Sequence, residues 1–146
     1  MKFLLDASAL LPLITQSGKR LLAEKARETL ITTDLAIYEA CNSLWKLTTL
    51  LKTITPEEAA DIAALLSEVV AKNLIQAIGF AGIDLVQTLS LAQKTQTTFY
   101  DASYIAAAQK TKAVLATEDK RLRKAADSYV KTISFHQLQN ELTKTT

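Results

Sequence analysis

Short apolar runs alternate with longer stretches of helical period along this chain. Lys2–Leu5 is a brief apolar run that reads as a buried strand. Residues 17–28, SGKRLLAEKARE, form a charged amphipathic pattern and predict a helix. TLITTDL (29–35) is β-branched and predicts a second strand or extended segment ending near Asp34. From Ala36 the period becomes helical, with Ala40, Leu44, Leu47 and Leu51 on one stripe. Thr55-Pro56-Glu57-Glu58 is a helix start: an N-cap threonine, proline at the first position, and acids at the positive end of the dipole. That helix is expected to run to about Asn73. LIQAIGF (74–80) reads as a strand, and residues 82–95 and 98–111 as two helices. AVLAT (113–117) is again strand-like, DKRLRKAAD (119–127) a short basic helix, YVKTIS (129–134) a last strand and FHQLQNEL a closing helix. Alternation of this kind predicts an α/β, three-layer fold, a mainly parallel central sheet flanked by helices. No repeat or linker divides residues 1–146, so one domain is expected.

Composition narrows the class. Apolar residues make up 49% of the 146, and only three glycines and two prolines occur, which argues against disorder and against a turn-rich β-sandwich. A net charge of +2 is too small to diagnose nucleic-acid binding, but it requires basic surface to offset any acidic cleft. The lone Cys41 gives no sign of an oxidising compartment, and it is expected to be a small buried group rather than a nucleophile. Asp6 and Pro12 interrupt the N-terminal apolar stretch and speak against a signal peptide, and no run is long enough to span a membrane. The expected location is cytoplasmic.

Most of the fifteen acids sit on charged helix faces, but four do not. Asp6 ends the first strand, in FLLDASAL. Glu39 lies in LAIYEACNSLW, expected in the first turn of a helix with apolar surroundings. Asp101 opens the apolar helix of TFYDASYIAAA, and Asp119 follows a buried strand in VLATEDK. In a parallel sheet the strand C-termini and the helix starts that follow them share one edge, where ligands bind. Each acid taken alone also reads as a helix cap. Taken together they would crowd charge that cannot stay ionised without compensation. An all-oxygen donor set with no cysteine pair selects a hard cation, Mg²⁺ or Mn²⁺, over zinc.

These four segments together resemble the PIN-domain nucleases over essentially the whole chain. FLLDASAL is similar to that family's opening strand, with Asp6 and then Ser8. YEACNSLWK is similar to its second-acid helix, with Glu39 and Asn42. FYDASYIAAAQ is similar to the third-acid helix, with Asp101, and LATEDKRL to the strand-end Thr-x-Asp, with Thr117 and Asp119. The small size resembles the VapC-type toxins of toxin–antitoxin pairs. The resemblance implies an Mg²⁺- or Mn²⁺-dependent endoribonuclease that hydrolyses RNA phosphodiester bonds. Asp6, Glu39, Asp101 and Asp119 would hold the metal, while Ser8, Asn42 and Thr117 would stand one layer out. Glu118 competes with Asp119 for the fourth place; the Thr-x-Asp spacing favours Asp119. Implied partners are an RNA substrate, a cognate antitoxin and a second copy of the chain.

Lys46 lies on the helix face of Asn42, within reach of a substrate phosphate or simply in solvent. Lys120, Arg121, Arg123 and Lys124 follow Asp119 and read either as a solvated face or as contacts to the RNA backbone. Trp45 and Tyr104 are expected in the core or at an interface, and His136 has no assigned role. The leucines of residues 44–66 exceed what one helix face needs; they either close the core or receive a helical partner or a second copy. Two readings compete with a working nuclease. One is a catalytically idle PIN-like module that binds RNA or protein. The other is a phosphoacceptor or phosphatase domain, weakened because Ser8, not aspartate, stands two residues after Asp6.

Overall fold

The computed structural model describes residues 1–144. Five strands form one all-parallel sheet: β1 (Lys2–Leu5), β2 (Thr29–Thr33), β3 (Gln76–Ile78), β4 (Val114–Ala116) and β5 (Thr132–Ile133), in the order β3-β2-β1-β4-β5. Among the described residues, seven α-helices flank it: α1 (Ala7–Ala23), α2 (Asp34–Trp45), α3 (Pro56–Ala71), α4 (Leu85–Thr95), α5 (Phe99–Thr111), α6 (Lys120–Ala126) and α7 (Phe135–Thr143). The α/β expectation and the parallel sheet hold. The core is built on the central strands, where Phe3, Leu4, Leu5, Leu115 and Ala116 are essentially sealed from solvent against Leu10, Leu13 and Ile105. Strands buried on both faces carry unbroken apolar runs, which is why these segments were legible.

The chain winds outward from β1 to β2 and β3, then returns to the far side of β1 for β4 and β5. The strand order therefore reverses between β1 and β4, where open α/β sheets place their ligands. Leu5 pairs with Ala116 in register, so the residues that leave these two strands, Asp6 and Thr117, emerge side by side.

Four local expectations differ from the structure. The first helix covers 7–23, not 17–28, because Asp6 caps it at once and Pro12, near its N-terminus, removes only one intrahelical hydrogen bond. Helix α2 starts at Asp34, capped by Thr33, so Glu39 lies in its second turn and not its first. The stripe from Ala40 is buried only as far as Leu44; a π-helical turn at Lys46–Leu50 shifts the phase and leaves Leu51 64% exposed. Cys41 is exposed on α2 rather than buried. The start at Thr55 is as expected, a capping box with Glu58. Close approach of α1 and α3 depends on Gly18, where an added Cβ would lie 2.5 Å from Leu65 Cδ2.

Candidate active site

Asp6, Glu39, Asp101 and Asp119 all line one cleft of about 520 Å³ at the C-terminal edge of the sheet. Each comes from a different element: Asp6 from the β1–α1 junction, Glu39 from α2, Asp101 from the first turn of α5, Asp119 from the N-cap of α6. Ser8, Asn42, Lys46, Tyr38 and Tyr104 share the lining. Glu39, Asn42 and Ser43 of α2, with Lys46 at the start of the π-helical turn that follows, fall at i, i+3, i+4 and i+7 and all line the cleft.

Asp6 is the most constrained of the four. Its Oδ1 accepts from the Ala9 backbone N–H at 3.1 Å and from the Ser8 hydroxyl at 2.6 Å, and its Oδ2 accepts from the Thr117 hydroxyl. The cap reading holds, and the same carboxylate that starts α1 also lines the cleft. Burial raises its pKa above the usual carboxylate value, and the charge of Asp119 adds to that. Hydrogen bonds from Ser8, Thr117 and Ala9 pull the other way.

Thr117 is the hub beneath Asp6, fully buried. Its hydroxyl accepts from the Asp119 N–H at 3.0 Å and its backbone N–H donates to Ile133 O. Asp119 Oδ1 in turn accepts from the N–H groups of Arg121 and Leu122, at 2.9 and 3.2 Å. Glu118 points elsewhere: its Oε1 accepts from the Phe135 N–H at the start of α7, and it does not line the cleft. The geometry therefore puts Asp119, not Glu118, beside the other three acids. The Ser8 hydroxyl also accepts from the Glu118 N–H at 2.8 Å, which ties the α1 start to this turn.

Asp101 has a raised pKa, first from burial, then from the charges of Asp119 and Glu39, with Arg121 opposing them. Tyr104, one turn along α5, is buried and donates its hydroxyl to Glu39 Oε1. Burial, that hydrogen bond and the charges of Glu39 and Asp6 push the phenol far above its ordinary value, so it stays a proton donor. Tyr104 was expected only as a packing aromatic; the sequence holds no sign that its hydroxyl meets Glu39, sixty-five positions away.

The basic residues divide. Lys46 lines the cleft. Lys120 and Arg121 are exposed at the α6 start, and Arg121 acts on Asp101 electrostatically. Arg123 is turned inward and donates from Nη2 to the Thr117 carbonyl at 2.5 Å, so its guanidinium is not offered to solvent as a free phosphate contact. Trp45 is half exposed and outside the core, and His136 is exposed on α7. Among the described residues, no three acidic, histidine or cysteine side chains are already drawn together as a metal shell. The four carboxylates line the same cleft.

Comparison with known proteins identifies the family. Residues 3–128 match the family model of the PIN domain. The chain is 34% identical over 125 residues to "Ribonuclease VapC3" of Pyrobaculum aerophilum, covering 84% of this chain and 92% of that protein. It is 33% identical over 122 residues to "Exonuclease VapC9" of the same organism, covering 84% of each. The crystal structure of PAE2754 from Pyrobaculum aerophilum superposes with a TM-score of 0.74 at 27% identity, covering 97% of this chain and 89% of that one. VapBC-1 from nontypeable Haemophilus influenzae shares the fold at a TM-score of 0.58 and 10% identity, covering 93% and 99%. The chain belongs to the PIN-domain family, on its VapC-type nuclease branch.

Proposed function

We propose that this protein is a divalent-metal-dependent ribonuclease, the toxin of a toxin–antitoxin pair, cutting RNA within the chain. The observation that carries the reading is the convergence of four carboxylates from four elements on one cleft at the sheet's switch point. The donor set fits a hard cation: every candidate ligand is a carboxylate oxygen, and neither Cys41 nor His136 lines the cleft. Asp6, Glu39, Asp101 and Asp119 would hold Mg²⁺ or Mn²⁺. Asp6 is buried and held by three hydrogen bonds, while Glu39 and Asp119 are more exposed. When bound, such an ion polarises the scissile phosphate and activates water toward it.

The chain's own residues do the rest. Ser8 and Thr117 hold Asp6 in one orientation, and Tyr104 holds Glu39. Lys46, which lines the cleft with Asn42, would bind a phosphate oxygen, and Lys120 and Arg121, exposed at the start of α6, would contact the RNA backbone.

Two apolar faces accommodate protein partners. Trp45, Leu50 and Leu51 are 50–64% exposed next to Lys46, and an antitoxin segment seated there would lie over the cleft rim. Tyr38, Phe80, Leu85, Phe99 and Tyr100, all exposed, line a second, mostly apolar groove, which would suit a second copy.

The test is cleavage of RNA with Mg²⁺ or Mn²⁺ by the wild type, Asp6→Asn and Asp101→Asn proteins. Metal-dependent cutting by the wild type alone supports the reading, with internal or terminal products separating endonuclease from exonuclease. Equal activity in all three preparations sinks it. RNA or protein binding without cleavage would instead mark an idle module.

A further inference from the structure

Resting on the ribonuclease reading, we propose that Arg123 is a positioning residue for the Thr117–Asp119 turn and not an RNA contact. The sequence puts Arg123 in a basic run with Lys120, Arg121 and Lys124, which are exposed. Arg123 alone of these is half-buried, and it grips the turn at both ends. Its backbone N–H donates to the Asp119 carbonyl at 2.9 Å, closing the first turn of α6. Its guanidinium reaches further back and donates to the Thr117 carbonyl. Its Nε is buried with no hydrogen-bond partner, so the head group is seated in the protein rather than solvated.

What the clamp holds is chemically specific. Thr117 has its hydroxyl on Asp6 and its N–H on Ile133 O, which leaves the carbonyl as its remaining polar group; Arg123 takes it. With the carbonyl fixed, the peptide planes that follow are fixed, and they set where Asp119 enters the cleft. Arginine suits the task because its charge persists at every working pH and its planar fork is pre-organised. Truncating it frees the turn without removing a cleft-lining group. The orientation of Asp119, and through Thr117 that of Asp6, is then lost in part.

The experiment compares wild type, Arg123→Met, Arg123→Lys and Arg121→Gln. Affinity for a short single-stranded RNA is measured by fluorescence anisotropy across a salt series in EDTA, so that the RNA stays intact. Arg123→Met should keep the wild-type slope of log K against log salt and bind within twofold, whereas Arg121→Gln should lower the slope by about 0.7. In Mn²⁺, Arg123→Met should lower kcat roughly 10–100-fold at near-constant KM and raise the Mn²⁺ needed for half-maximal activity. Arg123→Lys, which keeps a donor for the carbonyl, should recover most of kcat. A salt slope that falls as it does for Arg121→Gln overturns the proposal in favour of an RNA contact, and unchanged kcat overturns it outright. If the wild type neither binds nor cuts RNA, the ribonuclease reading fails. The positioning role is then decided by the Mn²⁺-induced rise in melting temperature, which must shrink in Arg123→Met; an undiminished rise overturns it.

Discussion

Replacing Thr117 by valine removes a hydroxyl at nearly constant volume, and the structure says what that costs. The Asp6 carboxylate loses a donor, and a hydrogen bond to a charged partner contributes about 1.5–3 kcal/mol. The Asp119 N–H loses its acceptor, worth about another 1–2 kcal/mol where water does not reach it. A methyl in place of the hydroxyl at a fully buried position returns up to about 0.8 kcal/mol. The net expectation is a loss of about 2–4 kcal/mol near neutral pH. The pH dependence has a definite sign. The Thr117 hydroxyl is one of the groups that lower the raised pKa of Asp6, so its removal moves that pKa further up. A proton held more tightly by the folded state makes stability fall more as pH rises. The cost of Thr117→Val should therefore be about 1 kcal/mol smaller near pH 3.5, where Asp6 is protonated, than near pH 7. Urea unfolding of the wild type, Thr117→Val and Thr117→Ser at both pH values measures this. Thr117→Ser keeps the hydroxyl and should lose only about 1 kcal/mol, independent of pH. A valine variant within about 0.5 kcal/mol of wild type, or one equally costly at both pH values, would refute the role given to this hydroxyl.

Further outcomes follow from the structure. Asp6 and Asp101 both have pKa values raised above 3.8, so without metal the stability should decline as pH rises from about 4 through their folded values. Asp101→Asn should melt higher than wild type in EDTA at neutral pH and lose most of the Mn²⁺-induced rise, as calorimetry would show; a lower melting point would contradict the charge crowding. Tyr104→Phe should leave urea stability within about 1 kcal/mol but reduce cleavage about tenfold, because Glu39 loses the donor that orients it. Lys112 caps α5 with φ 57° and Gln96 caps α4 with φ 55°, so Lys112→Gly and Gln96→Gly should each stabilise by about 0.5–1 kcal/mol in urea titrations, where destabilisation would contradict the cap geometry.

The sheet and the four acids were readable because burial writes itself into composition. KFLL, TLITT and VLA sit in or beside the covered middle of the sheet, and an acid just past such a run stands out. What was not readable depended on side-chain direction. Glu118 and Asp119 are adjacent in sequence, yet backbone geometry sends one to the Phe135 N–H and the other to the cleft. Tyr104 and Arg123 look like packing and surface charge until the fold brings Glu39 and the Thr117 carbonyl to them. The π-helical turn after Trp45 shows how one shift in hydrogen-bonding phase exposes Leu51, which periodicity alone would bury.

In the proposed site Asp6, Glu39, Asp101 and Asp119 would hold the metal together. Mn²⁺ titration followed by electron paramagnetic resonance, on the wild type and on single amide variants, addresses it directly. Each of the four substitutions should weaken Mn²⁺ binding roughly tenfold or more, while Glu118→Gln, whose carboxylate caps α7, should bind as wild type does. Wild-type affinity in two or more of the four variants, or a loss in Glu118→Gln equal to theirs, would contradict the account.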